Sequence, residues 1–393
     1  MPSIGAEVAS RRLRESARAD GPGEAHRLWL AARPLDTGGP AAQVEAVYRD
    51  LSLALGTAGA SPQDLVGETI FARDAGDLAT ILGARALALG GAAPAPTFVV
   101  QPPLDGSALE VAANAVVPRS PGVRSVVDVR AARPCACEGC ALSGARVVRG
   151  GRTMVRTSGF QGVGAGLFAQ ATEAFRAGER LLREAGLGFR DVVRTWVWLR
   201  DIDRDYDELN AARRAFFEEA GLERRPASTG VQGAPPGAGH DVSIALEAIT
   251  GGGEATSAPM TTPLLNEAWT YGADFSRGLG VPDGHGTTLL LSGTASIDEQ
   301  GRSVHAGDLR AQAGRMIDNI ESLLAGRGAG LGDLVSGVVY AKRREDGPAL
   351  REICRARGFG GFPCVFVEAP LCRPELLCEA EAVARLSLPA AGA

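Results

Sequence analysis

Three stretches of this chain repeat one pattern, and a pattern repeated at long intervals constrains the fold more than any other feature of the sequence. Each copy has a helix end, a glycine-rich stop, an Asp before Leu or Val, and a short β-rich strand. The copies lie at residues 55–74, 182–201 and 324–346. Because the intervals between them are as long as a domain, the chain is predicted to contain three domain-sized copies and not a solenoid of short repeats.

The segments around the repeated pattern predict the same set of elements in each copy. Apolar residues at helical spacing precede each stop, as Val44, Val47 and Leu51 do in the first copy. A second helix follows each strand, and a closing pair of strands follows that helix. Ahead of the first helix, hairpins are expected at residues 144–160 and 288–304. The unit therefore reads β-β-α-β-α-β-β, an α+β fold in which a mixed sheet carries two helices on one face.

Composition shifts divide the chain into segments. Residues 118–142 are rich in Pro, Arg, Cys and Gly, and residues 250–263 have no apolar periodicity, so both stretches are typical of linkers. The predicted organisation is an N-terminal tail at 1–26, a degenerate first domain at 27–120, a Cys- and Pro-rich linker at 121–142, a second domain at 143–252 and a site-bearing third domain at 264–388.

Charge and hydropathy exclude several classes of function. The chain has 41 basic and 46 acidic residues, and this balance gives no broad positive field for nucleic acid. The least polar long stretch, 79–100, is interrupted by Arg85, Pro94 and Pro96, so it does not supply the roughly 20 apolar residues of a membrane helix. The first residues lack the apolar core of a secretory signal. We therefore expect a cytoplasmic protein with no nucleic-acid or membrane partner, present as a monomer or a small homo-oligomer.

Several motifs resemble one superfamily. The segment SGTASIDEQG at 292–301, which leads through GDLRAQ at 307–312 into a helix, and the strand VVRTWVWLRD at 192–201 are similar to those of the Rid (YjgF/RidA) superfamily. Members of that superfamily are small α+β domains that assemble as trimers with ligand sites between subunits. The resemblance covers residues 143–388 and, more weakly, 27–120. It implies that the three copies form an internal pseudo-trimer.

Within that superfamily, the last 250 or so residues look most like the chorismatases, which hydrolyse the enolpyruvyl ether of chorismate and release pyruvate. The similar segments are RTW at 194–196, YDELNAARR at 206–214, LLLSGTASI at 289–297 and CRPELLCEAEAV at 372–383. The last of these implies that Glu379 is the acid that protonates the substrate. Chorismatases with Cys at the position of Cys372 release 3-hydroxybenzoate, and those with Ala release a dihydroxycyclohexadiene carboxylate. The reaction implied by the resemblance needs no cofactor.

The closing strands of the three copies give a separate argument for an acid. When they are aligned, Ala112, Ala245 and Glu379 share one column, so only the third copy has an acid there. Glu381 follows two residues later and should project from the same face of the strand. Two neighbouring carboxylates repel each other, which raises the proton affinity of one of them and makes it a competent general acid. The alternative is that both acids lie on a solvated face of the sheet.

The loop before this strand supplies two further candidates. Arg373 could clamp a substrate carboxylate with its planar guanidinium group, or it could be an exposed loop arginine. Cys372 lies beside that positive charge, which would favour a catalytic thiolate, or it could be an inert core cysteine. We expect catalytic roles for Glu379, Cys372 and Glu381.

Other candidates would bind a small anionic substrate. Tyr271 and Arg277 lie on the segment that enters the third copy and could hydrogen-bond an anion, although an ordinary packed Tyr with a solvated Arg is the alternative. Chorismatases have polar residues on the strand and second helix of the second copy, which implies binding roles for Arg194, Asn210 and Arg213.

Two other functions remain open from the sequence. The small Rid deaminases hold a substrate carboxylate through an arginine in a segment similar to residues 225–233, but here Arg225 is displaced by two positions. An imine or enamine deaminase, or another biosynthetic enzyme of this fold, is therefore an alternative, and a non-catalytic small-molecule binder is a third. Cys135, Cys137 and Cys140 contain one C-x-x-C step without a partner pair, so a surface loop with reactive thiols is favoured over a metal site.

Overall fold

Three β-sheets follow one another along the chain, and each is joined to two α-helices. The computed structural model describes residues 13–18, 26–35, 38–91, 93–118, 126–130, 142–149, 151–250, 257–282 and 286–387. Within these ranges no helix is both long and apolar enough to cross a membrane. The α+β class predicted from the repeats is confirmed.

The first sheet contains five strands. They are β1 (Leu13–Arg18), β2 (His26–Ala32), β3 (Leu65–Ala72), β4 (Thr97–Val100) and β5 (Leu109–Val117), in the order β1-β2-β5-β3-β4. Helix α1 (Pro40–Thr57) precedes β3, and α2 (Leu78–Leu89) lies between β3 and β4. Strand β1 lies in the segment expected to be a tail. It belongs to the first sheet, since its backbone pairs antiparallel with β2 along its whole length.

The second sheet contains seven strands. They are β6 (Val126–Arg130), β7 (Ser143–Arg149), β8 (Arg152–Thr157), β9 (Phe160–Gln161), β10 (Val192–Leu199), β11 (Ala227–Gln232) and β12 (Val242–Ile249), in the order β11-β10-β12-β8-β7-β6 with β9 also on β12. Helices α3 (Leu167–Glu184) and α4 (Ile202–Glu219) flank β10 in sequence. The expected linker is not wholly irregular, since β6 lies in it and extends the predicted β7–β8 hairpin as an edge strand.

The third sheet contains six strands. They are β13 (Ala258–Pro259), β14 (Gly278–Pro282), β15 (Gly286–Ala295), β16 (Leu334–Ala341), β17 (Cys364–Glu368) and β18 (Cys378–Ser387), in the order β13-β14-β15-β18-β16-β17. Helices α5 (Leu309–Ala325) and α6 (Gly347–Ala356) flank β16 in sequence. The hairpin predicted at 288–304 was wrong: β15 pairs with the preceding β14, and residues 296–304 form a turn closed by one bridge between Ile297 and Ser303.

The repeated aspartate has the same structural role in every copy. Asp64, Asp191 and Asp333 each end a short 3-10 turn before the central strand. Each carboxylate accepts the backbone N–H three residues earlier, at 2.8–2.9 Å. The aspartate therefore stabilises the entry to the strand by satisfying a backbone donor that the turn leaves open.

The three units pack against one another. Isolated β-bridges join Val100 to Ala234, Pro103 to Val367 and Ala227 to Ser276, which gives one bridge for each pair of units. The apolar core of the third unit is continuous with side chains of the other two, including Phe71, Leu104, Trp196 and Trp198. The units are therefore joined by a buried interface as well as by the linkers of the chain.

A buried ion pair lies between the first and third units. Arg351 on α6 contacts Glu110 on β5, with Nη2 3.1 Å from Oε1. The backbone N–H of Phe366 donates to the other oxygen of Glu110 at 2.9 Å. Burial raises the pKa of Glu110 to about 7, against the opposing charge of Arg351. This carboxyl is thus held by two groups of the third unit.

Candidate active site

A cavity of about 240 Å³ lies between the second and third units. Its walls come from α4, from β18 and the loop before it, and from the segment that enters β14. The polar side chains that line it are Tyr206, Asp207, Asn210, Arg213, Ser228, Tyr271, Arg277, Cys372, Arg373 and Glu379. Seven of the nine residues singled out from the sequence line this cavity, and the other two, Arg194 and Glu381, line a smaller neighbouring cavity. The volume suits a ligand smaller than a typical drug.

Glu379 is a buried acid in the wall of this cavity. It lies on β18 between Ala295 of β15 and Tyr340 of β16, and only 5% of its surface is exposed. Burial, and secondly the charge of Glu381, raise its pKa to about 8, while Arg277 and Arg194 act in the opposite direction. At neutral pH the side chain is therefore mostly a protonated carboxylic acid, which is the form that donates a proton.

Glu381 faces a second, smaller cavity. It lies on the same side of β18 as Glu379, as expected for residues two apart, but it lines a space of about 70 Å³ bordered by all three units. Trp196 Nε1 donates to Glu381 Oε1 at 2.9 Å, and Arg194 Nη2 donates to Oε2 at 2.8 Å. Both acids are buried, which excludes the solvated alternative, and Glu381 is a hydrogen-bonded carboxylate behind the main cavity.

Arg194 does not lie where a substrate-binding residue was expected. Besides Glu381, its guanidinium group donates to the carbonyl oxygen of Leu291 and to the hydroxyl of Thr229, each at 2.6 Å. It does not line the 240 Å³ cavity. The sequence prediction is corrected here, because the buried carboxylate of Glu381 and two neutral acceptors occupy the donors that a substrate would need.

Arg213 is a buried cation that lines the cavity. Its Nη2 donates to Asn210 Oδ1 at 2.5 Å, its Nη1 lies 3.5 Å from Ser228 Oγ, and its Nε has no hydrogen-bond partner. No carboxylate of the described residues lies within ion-pair distance of it. Burial lowers its pKa from the usual value. A buried guanidinium group without a counter-charge favours an anionic ligand in this space.

Arg277 and Arg373 also line the cavity, and both lie close to the ring of Tyr271. Their guanidinium carbons are 5.4 Å and 5.0 Å from the Tyr271 ring centroid. Arg277 donates to the Asn266 carbonyl oxygen at 2.8 Å, and Arg373 to that of Gly301 at the same distance. Neither forms an ion pair with a carboxylate in the described part of the chain. Both cations are thus oriented by neutral groups and retain charge for a ligand.

Cys372 is a neutral thiol, and the expectation of a thiolate was wrong. Burial, and then the nearby Glu379, raise its pKa to about 12, and the opposing charge of Arg373 does not compensate. A thiol in this environment is a weak donor and a poor nucleophile at neutral pH. Its contact with the cavity lets it shape the ligand space beside Glu379.

Tyr206 is a site residue that the sequence analysis did not single out. Its hydroxyl faces Arg213 and Cys372, and burial raises its pKa above the usual value, so it stays protonated. A signal was available: Tyr206, Asn210 and Arg213 are spaced i, i+4, i+7 on α4, which places them on one helix face. The cavity therefore has a neutral hydroxyl donor near both Arg213 and Cys372.

The remaining candidates lie outside this cavity. Arg225 pairs with Asp274, with Nε 2.5 Å from Oδ1, and so has its own carboxylate. Cys135, Cys137 and Cys140 lie outside the described residues. Across the ranges that are described, no group of three or more His, Cys, Asp or Glu side chains is arranged to hold a metal ion.

The geometry suits one kind of chemistry. A protonated carboxyl lies in the wall of a cavity that is also lined by three guanidinium groups without carboxylate partners among the described residues. The cations would hold a small anion, and the acid would give a proton to an electron-rich atom of it.

Known proteins resemble this chain over most of its length. The family model described as Endoribonuclease L-PSP matches residues 143–250. A 3-hydroxybenzoate synthase of Streptomyces hygroscopicus is 33% identical over 242 residues, which are 54% of this chain and 69% of that protein. A chorismatase of the same organism is 27% identical over 238 residues, 55% of this chain and 67% of that protein. A chorismatase crystal structure, 17% identical, superposes with a TM-score of 0.61 over 93% of this chain and 100% of the other, which shows a shared fold.

Proposed function

This chain belongs to the chorismatase-like members of the Rid superfamily, and we propose that it hydrolyses the enolpyruvyl ether of chorismate or a closely related anion, releasing pyruvate. One observation carries the proposal: Glu379, whose pKa burial raises to about 8, shares a cavity with three guanidinium groups that have no carboxylate partner in the described chain. An acid that is protonated at neutral pH and faces unpaired cations suits acid-catalysed cleavage of an anionic substrate.

The proposed first step is transfer of the Glu379 proton to the methylene carbon of the enol ether. The carbon–carbon π electrons form the new C–H bond, and the adjacent carbon becomes an oxocarbenium ion. Glu379, now a carboxylate, stabilises that cation and accepts a proton from the attacking water. In the resulting hemiketal, Glu379 gives its proton to the ring oxygen as the bond from that oxygen to the former enol carbon breaks, and it takes up the proton of the hemiketal hydroxyl, which becomes the carbonyl of pyruvate; the ring leaves as an alcohol. Every proton that moves in this sequence starts from Glu379 or water.

The cations position the substrate. Chorismate carries two carboxylates, one on the ring and one on the enolpyruvyl group, and the guanidinium groups of Arg213, Arg277 and Arg373 line the cavity. In our proposal Arg213 holds one carboxylate, with Asn210 orienting it, and Arg277 and Arg373 hold the other. Fixing both ends of the substrate aligns the methylene carbon with the acid, and such alignment supplies a large part of a rate enhancement.

The ring product follows from the side chain at residue 372. By resemblance, Cys372 favours 3-hydroxybenzoate, which forms when the ring alcohol of the steps above also loses one molecule of water, and we propose that it does so as a neutral thiol against the ring. Cys372→Ala should shift the products towards a dihydroxycyclohexadiene carboxylate, as chromatography of the ring products would show. An unchanged product ratio would assign the ring chemistry to other residues.

We also propose that the three units form an internal pseudo-trimer in which only the second and third units border a working site. Five strands of each sheet follow one common order, β1-β2-β5-β3-β4, β7-β8-β12-β10-β11 and β14-β15-β18-β16-β17, and this order and the three inter-unit bridges support the proposal. The chain would then act as a monomer or a small homo-oligomer, because each site is completed within one chain.

Incubation with chorismate and measurement of pyruvate by a coupled assay tests the function. We expect release by the wild-type protein and none by Glu379→Gln, whose amide keeps the shape but donates no comparable acidic proton. Glu375→Gln is the matched control, because Glu375 is an exposed acid four residues earlier. Ammonia from 2-iminopropionate without pyruvate from chorismate would support a deaminase instead, although Arg225 is engaged by Asp274. If the protein releases neither pyruvate nor ammonia, a non-catalytic small-molecule binder is favoured.

A further inference from the structure

Trp196 on β10 lies between two guanidinium groups. The Cζ atom of Arg156 is 3.5 Å from the centroid of its ring, and that of Arg194 is 5.0 Å away. The indole N–H points to Glu381 Oε1 at 2.9 Å. Stacking on a guanidinium group at such a short distance fixes the plane of the ring, and with it the direction of the N–H.

Arg156 is itself held from two sides. Its Nη1 is 3.3 Å from Glu247 Oε2 on β12, within the second unit. From the first unit, Gly67 on β3 packs so closely that a Cβ atom there would be 2.9 Å from Arg156 Cγ. The position of Trp196 thus depends on a cation that the first and second units hold together.

The two acids of β18 have unequal surroundings. Glu381 receives two hydrogen bonds from β10, and the Tyr340 hydroxyl on β16 faces it. Among the described residues, none donates a hydrogen bond to the carboxyl of Glu379, which is subject to the charges of Arg277 and Arg194 and lies near the neutral Cys372 and Tyr206. In a buried pair the carboxyl with more donors stays ionised, and its partner takes the proton.

We propose that Trp196 is a positioning residue that decides which of Glu379 and Glu381 carries the proton of the pair. The inference rests on the proposed function, since it concerns the acid of that reaction. With the indole N–H in place, Glu381 remains the anion and Glu379 remains the donor. Without it, Glu381 gains proton affinity, and the proton moves to a side chain that does not face the ligand cavity.

Trp196→Phe tests this, because phenylalanine keeps an aromatic ring between the arginines and removes the N–H. We expect kcat for pyruvate release to fall by roughly tenfold or more, with KM little changed. We expect the alkaline limb of the wild-type pH profile near pH 8, because Glu379 must be protonated, and in Trp196→Phe this limb should move to lower pH. Trp198→Phe, also buried and two residues along β10, should leave that limb in place.

Infrared difference spectroscopy provides a readout without turnover. In the wild-type protein, Glu379→Gln should remove the carbonyl stretch of a protonated carboxyl group at neutral pH. In the Trp196→Phe background the same substitution should remove no such band, because the proton of the pair is then on Glu381 and not on Glu379. A wild-type protein that releases no pyruvate from chorismate would contradict the proposed function. An active enzyme whose pH profile and infrared band do not respond to Trp196→Phe would overturn the role of Trp196 alone.

Discussion

Gly293 on β15 lies directly against the carboxyl of Glu379, and a Cβ atom built on it would be only 2.0 Å from Glu379 Oε1. The nearest atom after that carboxyl is a methyl carbon of Thr229, at 3.2 Å. The backbone of Gly293 does not have a positive φ, so glycine is required here for space and not for its conformation. The Glu379 carboxyl can therefore occupy its position only because Gly293 has no side chain.

Gly293→Ala should therefore displace the acid. The added methyl group would push the Glu379 carboxyl from its position, and misplacement of a catalytic group by about 1 Å can cost roughly 100-fold in rate. We expect a loss of that size in kcat for pyruvate release, with a near-native far-UV circular dichroism spectrum. Gly361→Ala is the matched control, because nothing lies within 4 Å of a Cβ atom at that position. Full activity in Gly293→Ala would show that the acid tolerates displacement.

The raised pKa of Glu379 should appear in stability as well as in activity. Since the folded protein keeps a proton on Glu379 up to about pH 8, while the unfolded chain releases it near 4.5, the unfolding free energy should fall as pH rises through this window. Glu379→Gln lacks this contribution. Relative to wild type, it should become more stable between pH 4 and pH 9 by a few kcal/mol, measured by urea denaturation. A constant difference across that range would mean that Glu379 titrates normally.

Arg213 should contribute to substrate binding more than to folding. Arg213→Met removes a buried cation from the cavity and should lower kcat/KM for chorismate by roughly 100-fold, because a carboxylate would enter without its partner. Initial-rate kinetics measure the effect, and circular dichroism checks the fold. Arg355→Met, an exposed arginine on α6, should have wild-type kinetics. Unchanged kcat/KM in Arg213→Met would place the substrate carboxylates elsewhere.

Cys372 should react slowly with alkylating reagents. Burial raises the pKa of its thiol to about 12, so the reactive thiolate is rare at neutral pH. Iodoacetamide labelling, followed by mass spectrometry of the peptide that contains Cys372, should show a rate that still rises at pH 10. A plateau near pH 7 would instead indicate the thiolate that the neighbouring Arg373 suggested from the sequence.

The Arg351–Glu110 pair should stabilise the contact of the first and third units. Arg351→Met leaves a buried carboxylate unpaired, and we expect a loss of roughly 3 kcal/mol at pH 8, where Glu110 is ionised. Adding Glu110→Gln should restore most of that loss, since the amide oxygen still accepts the N–H of Phe366. Thermal or urea unfolding measures both variants. If the double variant were as unstable as the single one, packing and not charge would explain the effect.

Local sequence signals predicted much of the fold. The glycine-rich stop and the aspartate after it marked the entry to β3, β10 and β16 because one short turn uses the same hydrogen bond each time. The closing strands also placed Glu379 and Glu381 on one face, since a strand alternates its side chains. Strands β1 and β6 were missed because edge pairing depends on a neighbouring strand more than on local pattern.

Contacts between units could not be read from the sequence. Arg194 and Trp196 are some 185 residues from Glu381 along the chain, and only the packed units show that they donate to it. The same holds for Cys372: the adjacent Arg373 suggested a thiolate, but its burial depends on side chains of α4. Charge state in a buried site is decided by solvent exclusion, which sequence neighbours do not reveal.

The three sheets belong to one continuous polypeptide, so a substitution in one unit leaves the other two units unchanged. In a ring of identical subunits, a change that helps one inter-subunit pocket alters the others too, and a side chain that must be acidic in one place is acidic in all. Here Ala112 and Ala245 stand where the third unit has Glu379. A single chain therefore allows the three units to differ at this position, and only the third has an acid there.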